Sequence, residues 1–414
     1  MARFDQTVCV VGLGYIGLPT ASLLATRGYG VLGVDVSERV VNAVQAGTLH
    51  FHEPDLDVLV ASAVGSGKLV VSLQPAPADI FIIAVPTPFE NDHAPDMSFV
   101  EAATRAIAPH LAPGNLVILE STSPVGTTEQ IVRWIADERA DLGPEVTKRI
   151  HVCHSPERVL PGRVLQELVT NDRIVGGIDQ ESAEAGAAFY RTFTTGTVFT
   201  TRARTAELSK LAENAFRDVN IAYANELSLI CENLGVNVWE LIKLANRHPR
   251  VNILQPGPGV GGHCIAVDPW FIVHSSPGQS RLIQTARAVN DGKPGWVIDQ
   301  VRQAADRFKE PVVACLGLAF KANIDDLRES PALAITEALA REGVARVLAV
   351  EPFVRECPPQ LACHGNVEFV GTEEALRRAD ILLVLVDHDR FRSIEREHLA
   401  RKVLIDTRGL FTAT

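Results

Sequence analysis

Cys264 closes the run Gly257-Pro258-Gly259-Val260-Gly261-Gly262-His263-Cys264. Glycines let a ligand come close to the backbone and hold conformations that other residues avoid. A thiolate in such a loop can trap an aldehyde as a thiohemiacetal, which becomes a thioester on losing hydride. Taken alone, the same cysteine reads more readily as a small, inert core residue, and its context overturns that reading. Lys210, Asn214 and Arg217 are spaced i, i+4, i+7 and share one face of a helix. A lysine and an amide there can polarise an oxygen on a reacting carbon and stabilise developing negative charge. A wetted stripe has the same spacing. Asp268, four residues past Cys264, either positions a base or water or caps the segment after Pro269.

A second constellation is Gly12-Leu13-Gly14-Tyr15-Ile16-Gly17, between a strand-like run and a helix-like run, with Asp35 ending the next strand. Glycines permit the tight turn and the approach of a pyrophosphate, and the helix N-terminus favours its charge. Asp35 can accept from a ribose and would repel a 2′-phosphate, so NAD is expected over NADP. Arg39 is either a solvated helix charge or a point in favour of NADP. Val85-Pro86-Thr87-Pro88 and Glu120-Ser121-Thr122-Ser123-Pro124-Val125-Gly126-Thr127-Thr128 leave strands on the same side. Their hydroxyls either meet the cofactor or cap a helix. Glu157-Arg158-Val159-Leu160-Pro161-Gly162 and His248-Pro249-Arg250 add guanidinium forks suited to a diphosphate. His50, His52 and Glu53 lack a further ligand at metal spacing, so a polar loop and no metal site are expected.

Strand and helix patterns alternate through 7–11, 16–27, 31–36, 80–85 and 116–120, implying a doubly wound parallel sheet over about 1–198. Long helical patterns at 204–234, 238–246 and 281–291 fill a strand-free segment, 199–307, that bridges two domains and offers an apolar helix for self-association. Strands at 311–317, 347–350, 381–386 and 403–406 build a second such domain over 308–414. There Ser330-Pro331 starts a helix and Gly343 ends it. The expected fold is thus α/β, two Rossmann-like domains joined by a helical region with one long helix. A net charge of −11 speaks against nucleic acid as a partner. No apolar run reaches membrane-span length, no signal peptide precedes the first strand, and the seven cysteines form no C-x-x-C pair. A soluble cytoplasmic protein is expected.

The chain resembles the UDP-glucose/GDP-mannose dehydrogenase family along nearly its whole length. The resemblance rests on the Gly12–Gly17 turn, Val85-Pro86-Thr87-Pro88, Ser121-Thr122-Ser123-Pro124-Val125-Gly126 and Ser155-Pro156-Glu157-Arg158. It rests also on Lys210-Leu211-Ala212-Glu213-Asn214, Gly261-Gly262-His263-Cys264, Phe320-Lys321 and Arg328-Glu329-Ser330. Asp92-His93-Ala94-Pro95-Asp96 and the run from Ala245 to Trp270 resemble members whose sugar is N-acetyl-D-mannosamine; UDP-N-acetylglucosamine and UDP-glucose are the alternatives. The resemblance implies two successive NAD-dependent oxidations at the sugar C6. Cys264 is then the nucleophile, Lys210 and Asn214 assist at the C6 oxygen, and Asp268, Glu157 and Thr122 serve the hydrolytic water or the proton transfers. Tyr15, Ile16, Asp35, Thr87 and Thr128 carry over as NAD contacts, and Arg328 completes that site. Arg158, Val159, Lys210, Asn214, Arg217, His248, Arg250 and Gly261 match substrate-contacting positions, and Lys321 reaches the nucleotide or sugar. A homodimer through the long helix is also implied, with His248 and Arg250 offered to a neighbouring subunit. A silent nucleotide-sugar binder is the rival from another class, and the retention of Cys264, Lys210, Asn214 and Asp268 together argues against it.

Overall fold

The computed structural model describes residues 6–51, 53–89, 93–141, 149–160, 162–262 and 264–411. Two compact units form: Met1–Glu213 with Trp270–Ser276, and Asn214–Pro269 with Pro277–Thr414. The boundary falls inside one helix, Ala203–Leu234, of 32 residues.

The first unit is built on eight strands: β1 (Thr7–Val11), β2 (Gly30–Val34), β3 (Leu69–Ser72), β4 (Ile80–Ile83), β5 (Leu116–Leu119), β6 (His151–His154), β7 (Arg173–Gly177) and β8 (Val198–Arg202). Their order is β3-β2-β1-β4-β5-β6-β7-β8, parallel throughout except where β6 meets β7. The central strands are buried on both faces and read as continuous apolar runs, such as Ile80-Phe81-Ile82-Ile83. One core packs Val8, Val10 and Ile82 against the helix Gly17–Thr26; the other packs Cys9, Phe81 and Val117 against the helix Thr127–Glu138.

The second unit carries β9 (Val312–Leu316), β10 (Arg346–Val350), β11 (Val367–Phe369), β12 (Ile381–Val384) and β13 (Val403–Asp406), all parallel, in the order β11-β10-β9-β12-β13. Ser330 caps the helix Pro331–Glu342 by accepting from the Leu333 amide, and Gly343, at φ 65°, ends it. No strand lies between β8 and β9 among the described residues.

The two sheets share a local device. In the first unit the Gly12 amide donates to the Val34 carbonyl at 2.8 Å and the Leu13 amide to Asp35 at 3.0 Å. In the second, the Gly317 amide donates to the Val350 carbonyl at 2.8 Å, and those of Leu318 and Ala319 to Glu351 at 2.8 and 3.0 Å. In each case a glycine at positive φ turns the chain out of the first strand, and a carboxylate directly after the neighbouring strand pins the turn. The carboxylates differ in what remains open. Glu351 is buried and also meets His388 Nε2 at 3.1 Å, whereas Asp35 is only half-buried.

Candidate active site

The glycines of the first turn divide the labour. A Cβ on Gly12, at φ 93°, would lie 2.5 Å from the Ala84 carbonyl oxygen, and one on Gly17 would lie 1.8 Å from the Gly12 carbonyl oxygen. Both positions are closed by the fold itself. Gly14 is exposed, with nothing within 4 Å of the same point, so its openness serves something outside the protein. The helix behind it has Ile16 at its N-cap, no side-chain cap and no acidic residue in its first turn. Its positive end is left for an anion. The helix Thr127–Glu138 is the contrast. The buried Glu207 accepts from the amides of Gly126 and Thr128 at 2.6 and 2.7 Å, so this N-terminus is already neutralised from within.

That arrangement engages Thr128: its hydroxyl donates to Glu207 at 2.6 Å and the residue is buried. Thr87 donates to the Thr122 carbonyl at 2.7 Å, tying together the two loops that leave β4 and β5. Asp35 accepts from the amides of Leu13 and Ser37, one on each oxygen, which leaves a second lone pair on each for a ribose hydroxyl. The Tyr15 hydroxyl donates to Glu53 at 2.5 Å, and Glu53 also accepts from the amides of Gly162 and Val164. Glu53 is therefore a buried cap for the helix Val164–Thr170, with its oxygens already engaged. Arg39 is exposed. The cradle fits NAD: a closed turn, an open Gly14, an uncapped helix and a half-buried carboxylate.

The cysteine loop is held by the second unit. A Cβ on Gly261 would meet the Glu329 carbonyl oxygen at 2.1 Å, and one on Gly262 would meet the Phe320 ring at 3.0 Å. Gly262, at φ 82°, also donates to the Glu329 carbonyl. Cys264 is exposed, and its carbonyl accepts from the amides of Val267 and Asp268, at 3.1 and 2.8 Å. The Asn214 amide then donates to Asp268 Oδ2 at 2.6 Å, with both residues buried. Asn214, Asp268 and the Cys264 backbone are thus joined in one hydrogen-bonded assembly. The buried cysteines are of a different kind. Burial pushes the thiol of Cys9 up to about 11 and that of Cys315 to about 12, keeping both protonated and inert.

Lys210 sits half-buried one turn before Asn214, and Arg217 is exposed. Glu157 accepts from the buried Arg173 at 2.9 Å and from the Arg158 amide at 2.7 Å. The Arg158 guanidinium is engaged by Glu213 at 2.9 Å and by the Asp172 carbonyl. Val159 packs on the first core. Arg328 forms a fork with Asp326 at 2.9 and 2.7 Å. His248, Arg250 and Lys321 are exposed. His52, Asp92, Pro161 and His263 lie outside the described residues.

Sequence reasoning missed the continuation of the polar face past Asn214. Asp218 and Asn225 are fully buried on the long helix. Asp218 accepts from Arg287 at 2.6 Å, and Asn290 donates to Asp218 at 2.7 Å. Asn225 donates to Asn290 at 2.9 Å and accepts from the Gly257 amide at 2.9 Å, where the cysteine loop begins. The signal was present: 214, 218, 225 and 228 extend the spacing of 210 and 214 along one face.

A nucleotide cradle in an α/β unit, together with an exposed cysteine in a glycine loop, defines a dinucleotide-dependent oxidoreductase. The comparisons give the family. The NAD binding domain of the UDP-glucose/GDP-mannose dehydrogenase family matches residues 6–194, its central domain 204–292 and its UDP binding domain 314–413. The chain belongs to that family, with NAD as its cofactor. It is 58% identical over 414 residues to an NDP-N-acetyl-D-galactosaminuronic acid dehydrogenase of Ralstonia nicotianae, covering 99% of this chain and 97% of that one. It is 53% identical over 418 residues to a UDP-N-acetyl-D-mannosamine dehydrogenase of Yersinia pestis, covering 98% and 99%. A solved UDP-N-acetyl-mannosamine dehydrogenase from S. aureus superposes with a TM-score of 0.87 at 44% identity, over 98% of this chain and 95% of that one. No helix among the described residues is long and apolar enough to cross a membrane.

Proposed function

We propose that the chain oxidises UDP-N-acetyl-D-mannosamine at C6 to the uronate, in two NAD-dependent steps joined by a covalent bond to Cys264. The observation that carries this reading is the exposed Cys264 whose backbone is tied to the buried Asn214–Asp268 pair. A single alcohol oxidation needs no such thiol.

When bound, NAD accepts the hydride at each oxidation. Lys210 and Asn214 hold the C6 oxygen and stabilise its charge as the alcohol becomes an aldehyde. The Cys264 sulfur adds to the aldehyde carbon, and the carbonyl oxygen takes up a proton to give the thiohemiacetal. Loss of hydride and of the hydroxyl proton leaves the thioester. Glu157, Thr122 and Asp268 position water and take its proton. Water attacks the acyl carbon, the carbon–sulfur bond breaks, and the thiol is restored. Two NAD and one water are consumed per sugar. Arg158, Arg217, His248, Arg250 and Lys321 supply cations and donors suited to a nucleotide diphosphate.

Thr87, Thr128 and Arg328 are proposed as NAD contacts, with Tyr15, Ile16 and Asp35. Phe216, Tyr223 and Ile230, exposed at seven-residue intervals on the long helix and followed by Leu234, support a homodimer built on that face. All seven cysteines are free, which supports a cytoplasmic setting, and the uronate suits a surface polysaccharide. The 58% identity to the galactosaminuronic acid dehydrogenase favours a second reading, UDP-N-acetyl-D-galactosamine as substrate.

Comparing kcat/KM on the UDP-activated manno-, galacto- and gluco-N-acetylhexosamines and on UDP-glucose decides among them. Preference for the manno sugar supports the reading, and preference for the galacto sugar establishes the second. A preference for either gluco sugar overturns both.

A further inference from the structure

Beside the candidate hydrolytic carboxylate lies a buried chain of side chains with no assigned role. Glu120 follows β5 and is fully enclosed, and its Oε1 accepts from the Tyr190 hydroxyl at 2.7 Å. The Arg173 guanidinium covers the Tyr190 ring at 4.5 Å from its centroid and donates to Glu157 Oε2 at 2.9 Å. One guanidinium therefore faces two enclosed carboxylates. With both ionised the cluster carries an uncompensated negative charge away from water, which is costly.

The proton that relieves this charge has one favoured site. Both Glu157 oxygens are engaged, by Arg173 and by the Arg158 amide. Glu120 has one donor on Oε1, and its Oε2 has no hydrogen-bond partner among the described residues. Burial accordingly pushes the Glu120 carboxyl up to about 7, with Glu157 adding to the effect and Arg173, Tyr190 and Thr20 opposing it. The other groups around it do not change charge near neutrality. Burial holds His154 down to about 3, pushes Cys153 up, and raises Tyr190 well above its ordinary value.

We propose that Glu120 is a positioning residue, a proton store that acts on Glu157 through Tyr190 and Arg173. With Glu120 neutral, Arg173 serves Glu157 alone and holds its side chain in place. Once Glu120 gives up its proton, the added negative charge competes for Arg173 and loosens its grip on Glu157. Glu120 itself titrates with a midpoint near 7. This inference rests on the reading of Glu157 as the residue that activates water.

The test is the pH profile of kcat over about two units either side of that midpoint. The native enzyme should show an inflection near 7. Glu120→Gln, permanently neutral, should be flat there, and Tyr190→Phe should move the inflection up by about one unit by removing a donor to the charged form. A flat native profile, or an inflection that persists unmoved in Glu120→Gln, overturns the proposal. Infrared difference spectra of the same proteins without substrate give an independent readout. The carboxylate bands that disappear in Glu157→Gln should shift as Glu120 titrates, and should stay fixed in Glu120→Gln. If no UDP-sugar is turned over, the functional reading fails while the spectra still decide the coupling; unmoved Glu157 bands in the native protein overturn it.

Discussion

Asn214 and Asp268, 54 residues apart in sequence, form a buried hydrogen bond of 2.6 Å, and the Asp268 amide simultaneously holds the Cys264 carbonyl. The Asn214 amide thereby orients the carboxylate beside the cysteine loop. Asp268→Asn replaces the acceptor with a second amide at nearly unchanged volume. We expect kcat to fall by about 10²-fold or more while NAD affinity is kept. Steady-state kinetics with a separate NAD titration checks this, and an unchanged kcat would remove Asp268 from the chemistry.

Two glycine substitutions separate binding from folding. Gly17→Ala puts a Cβ at 1.8 Å from a backbone oxygen, which the turn cannot accommodate, so thermal unfolding should show a destabilised or unfolded protein. Gly14→Ala meets nothing and should melt like the native chain, yet its methyl group occupies the approach to the pyrophosphate. Its KM for NAD should rise by about tenfold or more. Equal effects of the two substitutions on stability would refute this division.

The nucleotide turn was readable because its logic is local: the glycines lie within six residues and Asp35 directly follows the next strand. The caps at Ser330 and Gly343 were readable for the same reason. Edge strands were not. In β3 only Leu69 is buried, and no residue of β8 is, so neither carries the long, fully buried apolar run of the central strands. The helix expected to stop near 291 continues to Ala305 through Pro294, because Val297, Val301 and Ala304 bury against the second sheet. Packing there outweighs the local break. Glu207, Arg173 and Tyr190 were invisible because each acquires its meaning from a partner far away in sequence, such as Thr128 or Glu120.

Lys293 lets stability be followed against pH. It is buried, donates to the Ser228 hydroxyl at 2.6 Å and lies 3.7 Å from the Trp296 ring centroid. Burial pulls its ammonium down to about 8, against a pull upward from Glu232. Since the unfolded chain binds this proton more tightly, the contribution of Lys293 is full above the ordinary lysine value and is lost as pH falls through 8. Relative to Lys293→Met, the native protein should gain stability as pH rises from about 7 to about 10, by up to about 3 kcal/mol. Denaturant unfolding at a series of pH values measures the gain, and a difference independent of pH would contradict it.

The central claim is the covalent role of Cys264, and the rate of NADH formation by Cys264→Ser with the UDP-N-acetylhexosamine that the native enzyme prefers tests it most directly. The account requires turnover to uronate to fall by about 10³-fold or more while NAD binding is unchanged. Uronate formed by that variant at the native rate, with two NADH per sugar, would contradict it.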